Sequence, residues 1–392
     1  MLSTAILNRA GALAPMLKVA IIGCGKIADD HAAQIAKIPT ATIVAACDLE
    51  PLMAAQFCER FQVAGAYSEL DDLLAHSRPD VAHITTPPQS HHILARRCLE
   101  AGVSVYVEKP FTVSRSQAAE LVELAVKNRL KLTVGHDLQF SPVSNRLRSL
   151  VREGYIGISP VHLESYYCYD LSDPKYARSL MGDKNHWIRR LPGGLLHNII
   201  SHGIARIAEY CPSEAPEVLA LGFRSPTLLA IGEKEFIDEL RVTVRDPMGP
   251  TAYFTFSSQL RPSLRAFRIF GQKNALELDE DKQTLIRLHG TPFKSYAERF
   301  LPPVLTGLQY FRNSTKNVGA FLSREFHMKL GMRCLMAQFY DSILTNGAPP
   351  ISYREILLTA GIMDSIFAQV AQFSAGNSPG HNKDSIVLEG AK

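Results

Sequence analysis

Lys18-Val19-Ala20-Ile21-Ile22-Gly23-Cys24-Gly25-Lys26-Ile27-Ala28 is an apolar run that breaks at Gly23 and resumes with helix formers after Gly25. It reads as strand, tight turn and helix. Gly23, Gly25 and Ala28 fit the G-x-G-x-x-G/A pattern of a dinucleotide site. The first glycine lets the chain turn with positive φ, the second lets backbone approach a pyrophosphate, and the alanine keeps helix and sheet close. The amides of Lys26 and Ile27 open the helix at the positive end of its dipole, where an anion is favoured. The next strand, Thr42–Cys47, ends at Asp48, 23 residues past Gly25 and close to the roughly 20 expected for the acid that bonds an adenosine ribose. No arginine follows at 49–52 to neutralise a 2′-phosphate, so NAD is expected rather than NADP.

Strands and helices alternate onward from there. Leu52–Phe61 reads as a helix, and Ser68-Glu-Leu-Asp71 as a capping box opening another. Val81–Thr85 is a strand followed by Thr86-Pro87 and a helix with His91 and His92 at its start, closed by Gly102. Val103–Val107 runs into Glu108-Lys109-Pro110. Ser114 and Gln117 make a second capping box, and Lys131–Gly135 is the sixth strand, ending at His136. Such alternation calls for a parallel doubly wound sheet, with ligands at the carboxyl ends of its strands, where Asp48, Thr86, Lys109 and His136 fall.

After a serine-capped helix at Phe140-Ser-Pro142, the pattern changes. Six strand-like runs, Val161–Tyr169, Glu217–Gly222, Glu239–Arg245, Thr251–Ser257, Ala266–Phe270 and Leu285–His289, are separated by turns such as Asp246-Pro-Met-Gly249. The expected fold is therefore α/β: an N-terminal doubly wound parallel sheet, plus a C-terminal α+β domain with a large, mostly antiparallel open sheet. The expected division is an extension over 1–15, a dinucleotide-binding domain over 16–145, a substrate and oligomerisation domain over 146–373 and a polar tail over 374–392. One open sheet face invites a second copy, as homodimer or homotetramer.

The chain has 392 residues, 46% hydrophobic and 20% charged, with a formal charge of +4. That small excess gives no reason to expect nucleic acid as a partner. Seven scattered cysteines without a C-x-x-C pair indicate neither a disulfide framework nor zinc, and they fit the cytoplasm. No apolar run approaches the 18 or so residues of a membrane span. Met1–Pro15 lacks the ordered regions of a secretory signal, and Met16 could equally start the chain. His91 and His92 have no third ligand spaced to join them, so no metal is expected.

Gly23-x-Gly25, Thr86-Pro87 with His91, and Glu108-Lys109-Pro110 together resemble the glucose–fructose oxidoreductase / inositol dehydrogenase (Gfo/Idh/MocA) family, closely in the first half and in outline in the second. The resemblance implies a Rossmann domain and an oxidoreductase acting on a secondary alcohol of a sugar, cyclitol or nucleotide-linked sugar. It gives Lys109 a double role at cofactor and substrate hydroxyl, with a cis peptide before Pro110, and it puts Glu108, His91 and His136 beside the cofactor. In the second half, Trp187, the pair Gly193-Gly194, Asn198 and His202 match a Trp, glycine cluster, acid and histidine pattern, with Asn198 standing where many relatives carry the acid. The spacing i, i+4 puts Asn198 and His202 on one helical face. An amide only orients by hydrogen bonds, so proton transfer falls to Lys109 and His202. A histidine on an apolar helix is otherwise a core residue with one hydrogen bond. Two other departures, Ile200 for a common glycine and Asp137-Leu138-Gln139 without an arginine, leave the substrate open. Alternatives of other classes are an NAD-retaining glycosidase- or epimerase-like enzyme and a non-catalytic NAD-binding sensor. From 292 to 331, aromatics such as Phe300, Tyr310, Phe311, Phe321 and Phe326 interleave with Arg299, Arg312, Lys316 and Arg324. They are expected in helices that cover the sheet or meet an oligomer partner.

Overall fold

A computed structural model describes residues 16–170, 183–230, 232–290, 293–294, 296–323 and 329–376. The extension 1–15, the tail from 377, and Arg324 and Phe326 lie outside the described residues.

The first body follows the alternation. Strands β1 (Leu17–Ile22), β2 (Ala41–Cys47), β3 (Gly65–Tyr67), β4 (Val81–Ile84), β5 (Ser104–Val107) and β6 (Leu132–Val134) form a wholly parallel sheet in the order 3-2-1-4-5-6. Helices α1 (Lys26–Ile35), α2 (Pro51–Phe61), α3 (Leu70–Ser77), α4 (His91–Glu100) and α5 (Arg115–Lys127) connect them. Strands β4, β5 and β6 are buried along their whole length, as a sheet covered on both faces requires. Local chemistry sets the helix ends. Ser114 caps α5 by accepting from the Gln117 amide, and Gly102 turns the chain after α4 at φ +80°. The capping box at Ser68 does not form: α3 starts one residue late, with Glu69 as its cap and no side-chain bond.

Helix α6 (Pro142–Arg152), capped by Ser141 with Pro142 in its first turn, leads to the second body. There β7 (Pro160–Tyr167) is followed by α7 (Gly194–Ile199) and α8 (Ser201–Ala208). Next come β8 (Glu217–Phe223), α9 (Pro226–Ala230), β9 (Glu239–Arg245), β10 (Thr251–Ser257), β11 (Arg265–Gly271), β12 (Asn274–Asp279) and β13 (Thr284–His289). The sheet order is 13-12-11-7-10-9-8, antiparallel except where β7 and β10 run parallel. Seven strands thus replace the six expected. The missed strand, β12, is a short hairpin partner whose Ala275, Leu276 and Leu278 are buried.

Among the described residues three helices follow: α10 (Ala297–Leu322), α11 (Leu330–Leu344) and α12 (Tyr353–Gly376). Helix α12 packs on α8 and β8 through Leu358, Ile362, Met363 and Ile366. Helix α11 does something the expected division at 145/146 leaves out. Its Met332, Leu335, Met336, Phe339 and Tyr340, with Ile351 and Ile356, are buried in the core of the first sheet. That core is therefore discontinuous in sequence, because β4 to β6 offer an apolar face that the helices before residue 146 leave uncovered.

Helix α10 lies along the edge strand β13. Gln309 accepts from the Arg287 amide at 2.8 Å and donates to its carbonyl at 3.1 Å, while Asn313 donates to the Leu285 carbonyl and Asn317 to that of Lys282. Amides at i, i+4 and i+8 thus stand in for the neighbouring strand that an edge lacks.

Candidate functional site

The carboxyl ends of β1, β2, β4, β5 and β6 converge on one crevice. Gly23 has φ +94°, and a Cβ there would sit 2.6 Å from the Thr86 side chain, so only glycine fits. Gly25 needs no unusual dihedral (φ −75°), and a Cβ on it would meet nothing within 4 Å. Its role is space. It offers no side chain to cap α1, so the amides of Lys26 and Ile27 face that space at the positive end of the helix. Ala28 is fully buried under the helix. Asp48 accepts from the Cys24 amide through Oδ2 at 2.7 Å and from the Glu50 amide through Oδ1 at 2.9 Å, which ties it to the turn it is expected to serve. A dinucleotide fits these residues: open space over a glycine, unclaimed amides, and a carboxylate at the end of the neighbouring strand.

After β4, Thr85 fastens the loop to β1 by donating to the carbonyls of Ile22 and Gly23, and Thr86 accepts from Ser90. Pro87 is exposed at the crevice, and Gln89 donates to the Trp187 carbonyl at 2.8 Å, so Trp187 joins this loop from the second body. His91, expected beside the cofactor, is tied up in backbone contacts. It is fully buried, with Nδ1 2.9 Å from the Pro110 carbonyl and Nε2 2.8 Å from that of Thr86. Two carbonyls call for a doubly protonated ring, yet burial lowers its pKa and keeps it neutral, so one of the two contacts carries the hydrogen. His91 clamps two loops together.

The Lys109–Pro110 peptide is cis. Lys109 Nζ donates to the backbone carbonyl of Asn198 at 3.0 Å and lies 3.5 Å from its Oδ1. The structure thus joins Lys109 and Asn198 across the two bodies, and the amide orients the lysine itself. Burial pulls the Lys109 pKa down from its ordinary value, against the opposing pull of Glu108 and Asp137. Asn198 lies in the last turn of α7 and His202 in the first turn of α8, with Ile200 between the two helices. Continuous backbone bonds, Ile200 to Leu196 and Ile204 to Ile200, keep both on nearly one helix. His202 is 9% exposed, its ring 5.7 Å from that of His136 and 5.5 Å from Tyr167. Burial first, then the charge of Lys109, hold its pKa well below the usual histidine value, and burial takes His136 down to about 3. Both rings are neutral. Nδ1 of His202 and Nε2 of His136 are buried without a partner among the described residues.

Sequence reasoning missed what stands behind Glu108. His31 Nε2 is 2.9 Å from Glu108 Oε1, His31 Nδ1 is 2.9 Å from His83 Nδ1, and His83 Nε2 is 2.8 Å from the Tyr340 hydroxyl. A carboxylate can only accept, so His31 donates to Glu108. The contacts run on from His31 to His83 and from His83 to the Tyr340 hydroxyl. These hydrogen bonds, with Lys109 nearby, keep Glu108 ionised below its ordinary pKa despite burial. Gly135 leaves room for it, since a Cβ there would lie 2.7 Å from Glu108 Oε1. The motif signals the glutamate; nothing local to His31, His83 or Tyr340 signals their meeting.

The segment after β6 is held from the second body. Arg206, nearly buried, pairs with Glu280 and donates to the Leu138 carbonyl and Ser144, and Gln139 donates to Glu209. Asp137, whose carboxyl burial and Glu108 push up to about 6, lines a cavity of about 440 Å³ with Arg146, Arg265, Glu280 and Asn313. Lys109, Asn198 and His202 do not line that cavity.

Residues 17–136 match the model of an oxidoreductase family with an NAD-binding Rossmann fold. The chain is 25% identical over 276 residues to an uncharacterized oxidoreductase, YrbE, of Bacillus subtilis, an alignment covering 70% of this chain and 76% of that one. It is 23% identical to an inositol 2-dehydrogenase/D-chiro-inositol 3-dehydrogenase of Lactiplantibacillus plantarum, over 57% of this chain and 64% of the relative, just under two thirds of its length. In structure it is similar to a dehydrogenase from Bordetella pertussis, WlbA, solved with NADH and UDP-GlcNAcA. The TM-score is 0.71 at 15% identity, covering 92% of this chain and 96% of that one, a likeness of fold.

Proposed function

Because the chain belongs to the Gfo/Idh/MocA oxidoreductase family, we propose that it is an NAD-dependent dehydrogenase acting on a secondary alcohol of a sugar, cyclitol or nucleotide-linked sugar. The observation that carries this reading is the bond from Lys109 Nζ to Asn198, which brings a half-buried amine just past the end of β5 against the histidine-bearing helices. Gly23, Gly25, Lys26, Ile27 and Asp48 would hold the dinucleotide, with Thr86, Pro87 and Trp187 along the crevice. The bound nicotinamide supplies the hydride acceptor. Lys109, its pKa lowered by burial, takes the proton of the substrate hydroxyl. Neutral His202 offers its unpartnered nitrogen to the same hydroxyl or its neighbour and fixes the carbon in reach. Asn198 keeps the amine aimed. The carboxylate of Asp48 supports NAD over NADP, because a 2′-phosphate beside it would be repelled.

The outer face of the second sheet carries Leu219, Leu221 and Phe223, 70%, 50% and 42% exposed, which supports pairing with a second copy there. The deciding experiment incubates the protein with NAD and a panel of cyclitols, glycosides and nucleotide sugars while following reduced-nicotinamide absorbance. Net accumulation supports a dehydrogenase. Turnover without accumulation would mean a cofactor reoxidised within each cycle, and calorimetric NAD binding without any reaction would mean a sensor.

A further inference from the structure

Helix α10 is 26 residues long, and among its described residues none is buried. It contains Pro302, Pro303, Gly307 and Gly319, all poor for an isolated helix, so tertiary contact has to stabilise it. One contact is the amide ladder on β13, which occupies the face bearing Gln309, Asn313 and Asn317. The opposite face carries Phe300, Val304, Phe311, Val318 and Phe321, between 57% and 70% exposed. With Gly307 and Ser314 these fall at 300, 304, 307, 311, 314, 318 and 321, alternating steps of four and three, which is the seam of a coiled coil. The charges Glu298, Arg299, Arg312 and Lys316 lie off that seam.

The seam is self-complementary when reversed about residue 309. Phe311 then opposes Gly307 of a second copy, Phe300 opposes Val318, and Val304 opposes Ser314. A large ring meets a glycine whose absent side chain would meet nothing within 4 Å. Leu301, Leu308 and Leu322, 42%, 59% and 74% exposed, flank it. These eight apolar side chains offer on the order of 1,000 Å² per copy, in the range of a stable dimer. An interfacial membrane helix needs a charged face opposite its apolar one. Here that opposite face is spent on β13.

We infer that α10 is a self-association element: it pairs antiparallel with α10 of a second copy across a twofold axis at residue 309, by a surface separate from the sheet face. Two tests on the full chain decide this. In the first, equal amounts of Gly307→Cys and Phe311→Cys are mixed and mildly oxidised. A disulfide between positions 307 and 311, mapped by mass spectrometry and weak or absent for either variant alone, is expected. In the second, Phe311→Glu is compared with wild type by sedimentation equilibrium and is expected to halve the mass while the melting curve stays unchanged, as befits an exposed position. A wild-type monomer at micromolar concentration would overturn the inference. So would a Phe311→Glu mass equal to wild type, or wild type that is monomeric and sediments with anionic vesicles. Leu221→Glu, on the sheet, should leave the 307–311 cross-link in place; its loss there would reassign the interface to the sheet.

Discussion

Two pairs of buried histidines sit in this molecule and differ in one respect. His31 and His83 use all four ring nitrogens, in a run of contacts of 2.8 to 2.9 Å that ends on Glu108 at one side and Tyr340 at the other. His136 and His202, also buried, leave Nε2 and Nδ1 without partners among the described residues. A buried polar atom left unpaired costs about 1–3 kcal/mol, so the first pair has the economy of scaffold and the second that of a site shaped for a guest. The two meet at Glu108-Lys109, where the scaffold ends and the chemistry begins.

The largest expected effect separates the pairs by activity. Lys109→Met and His202→Ala should each slow the chemical step by roughly 10²-fold or more in single turnover. NAD affinity, by calorimetry, should survive in His202→Ala. Full kcat in His202→Ala on a true substrate would make it a core histidine like the others. Stability should separate the pairs in the opposite sense. His83→Leu strands the Tyr340 hydroxyl and a nitrogen of His31, and should cost about 2–4 kcal/mol by urea unfolding, whereas His202→Leu removes an unpaired atom and should stay within about 1 kcal/mol of wild type. Equal losses would break the comparison.

Acid should unfold the protein early. His83, His91, His136, His197 and His202 all have folded pKa values below the usual 6.5, about 3 for His136 and about 4 for His197. Between those values and 6.5 the unfolded chain binds more protons than the folded one, so stability falls as pH drops below 6.5, by up to about 1.4 kcal/mol per pH unit for each ring. A denaturation midpoint flat from pH 7 to 5 would contradict this. The smallest effect concerns the aim of Lys109. Asn198→Asp sets a carboxylate near Nζ, favours the charged amine and should move the acidic limb of the pH–rate profile, where the amine loses its proton, up by about one unit, while Glu108→Gln should move it down. Both limbs unmoved would mean that Lys109 does not titrate in the reaction.

The first sheet was legible because its signals are local. An apolar run, a glycine that must turn at positive φ and a serine cap each act within a few residues, whereas Lys109, Asn198 and His202 were singled out by resemblance to family motifs. Where partners are distant, legibility failed. The clamp made by His91 was not foreseen because the two carbonyls it touches lie 5 and 19 residues away. The tie from His83 to Tyr340 spans 257 residues. Strand β12 is short and its turn weakly marked, and Ser68 lost its cap because α3 begins at Leu70.

The return of α11 to the first core bears on how the chain is made. A ribosome that has emitted all six strands of the first sheet must add about 190 more residues, from Phe140 to Leu330, before the helix that covers it exists. At roughly 5–20 residues per second that is on the order of 10–40 s. During that interval the contact surfaces of Met332, Met336 and Phe339 stay open, and His83 waits for its hydroxyl. The first sheet therefore completes its core only after most of the second body has been made.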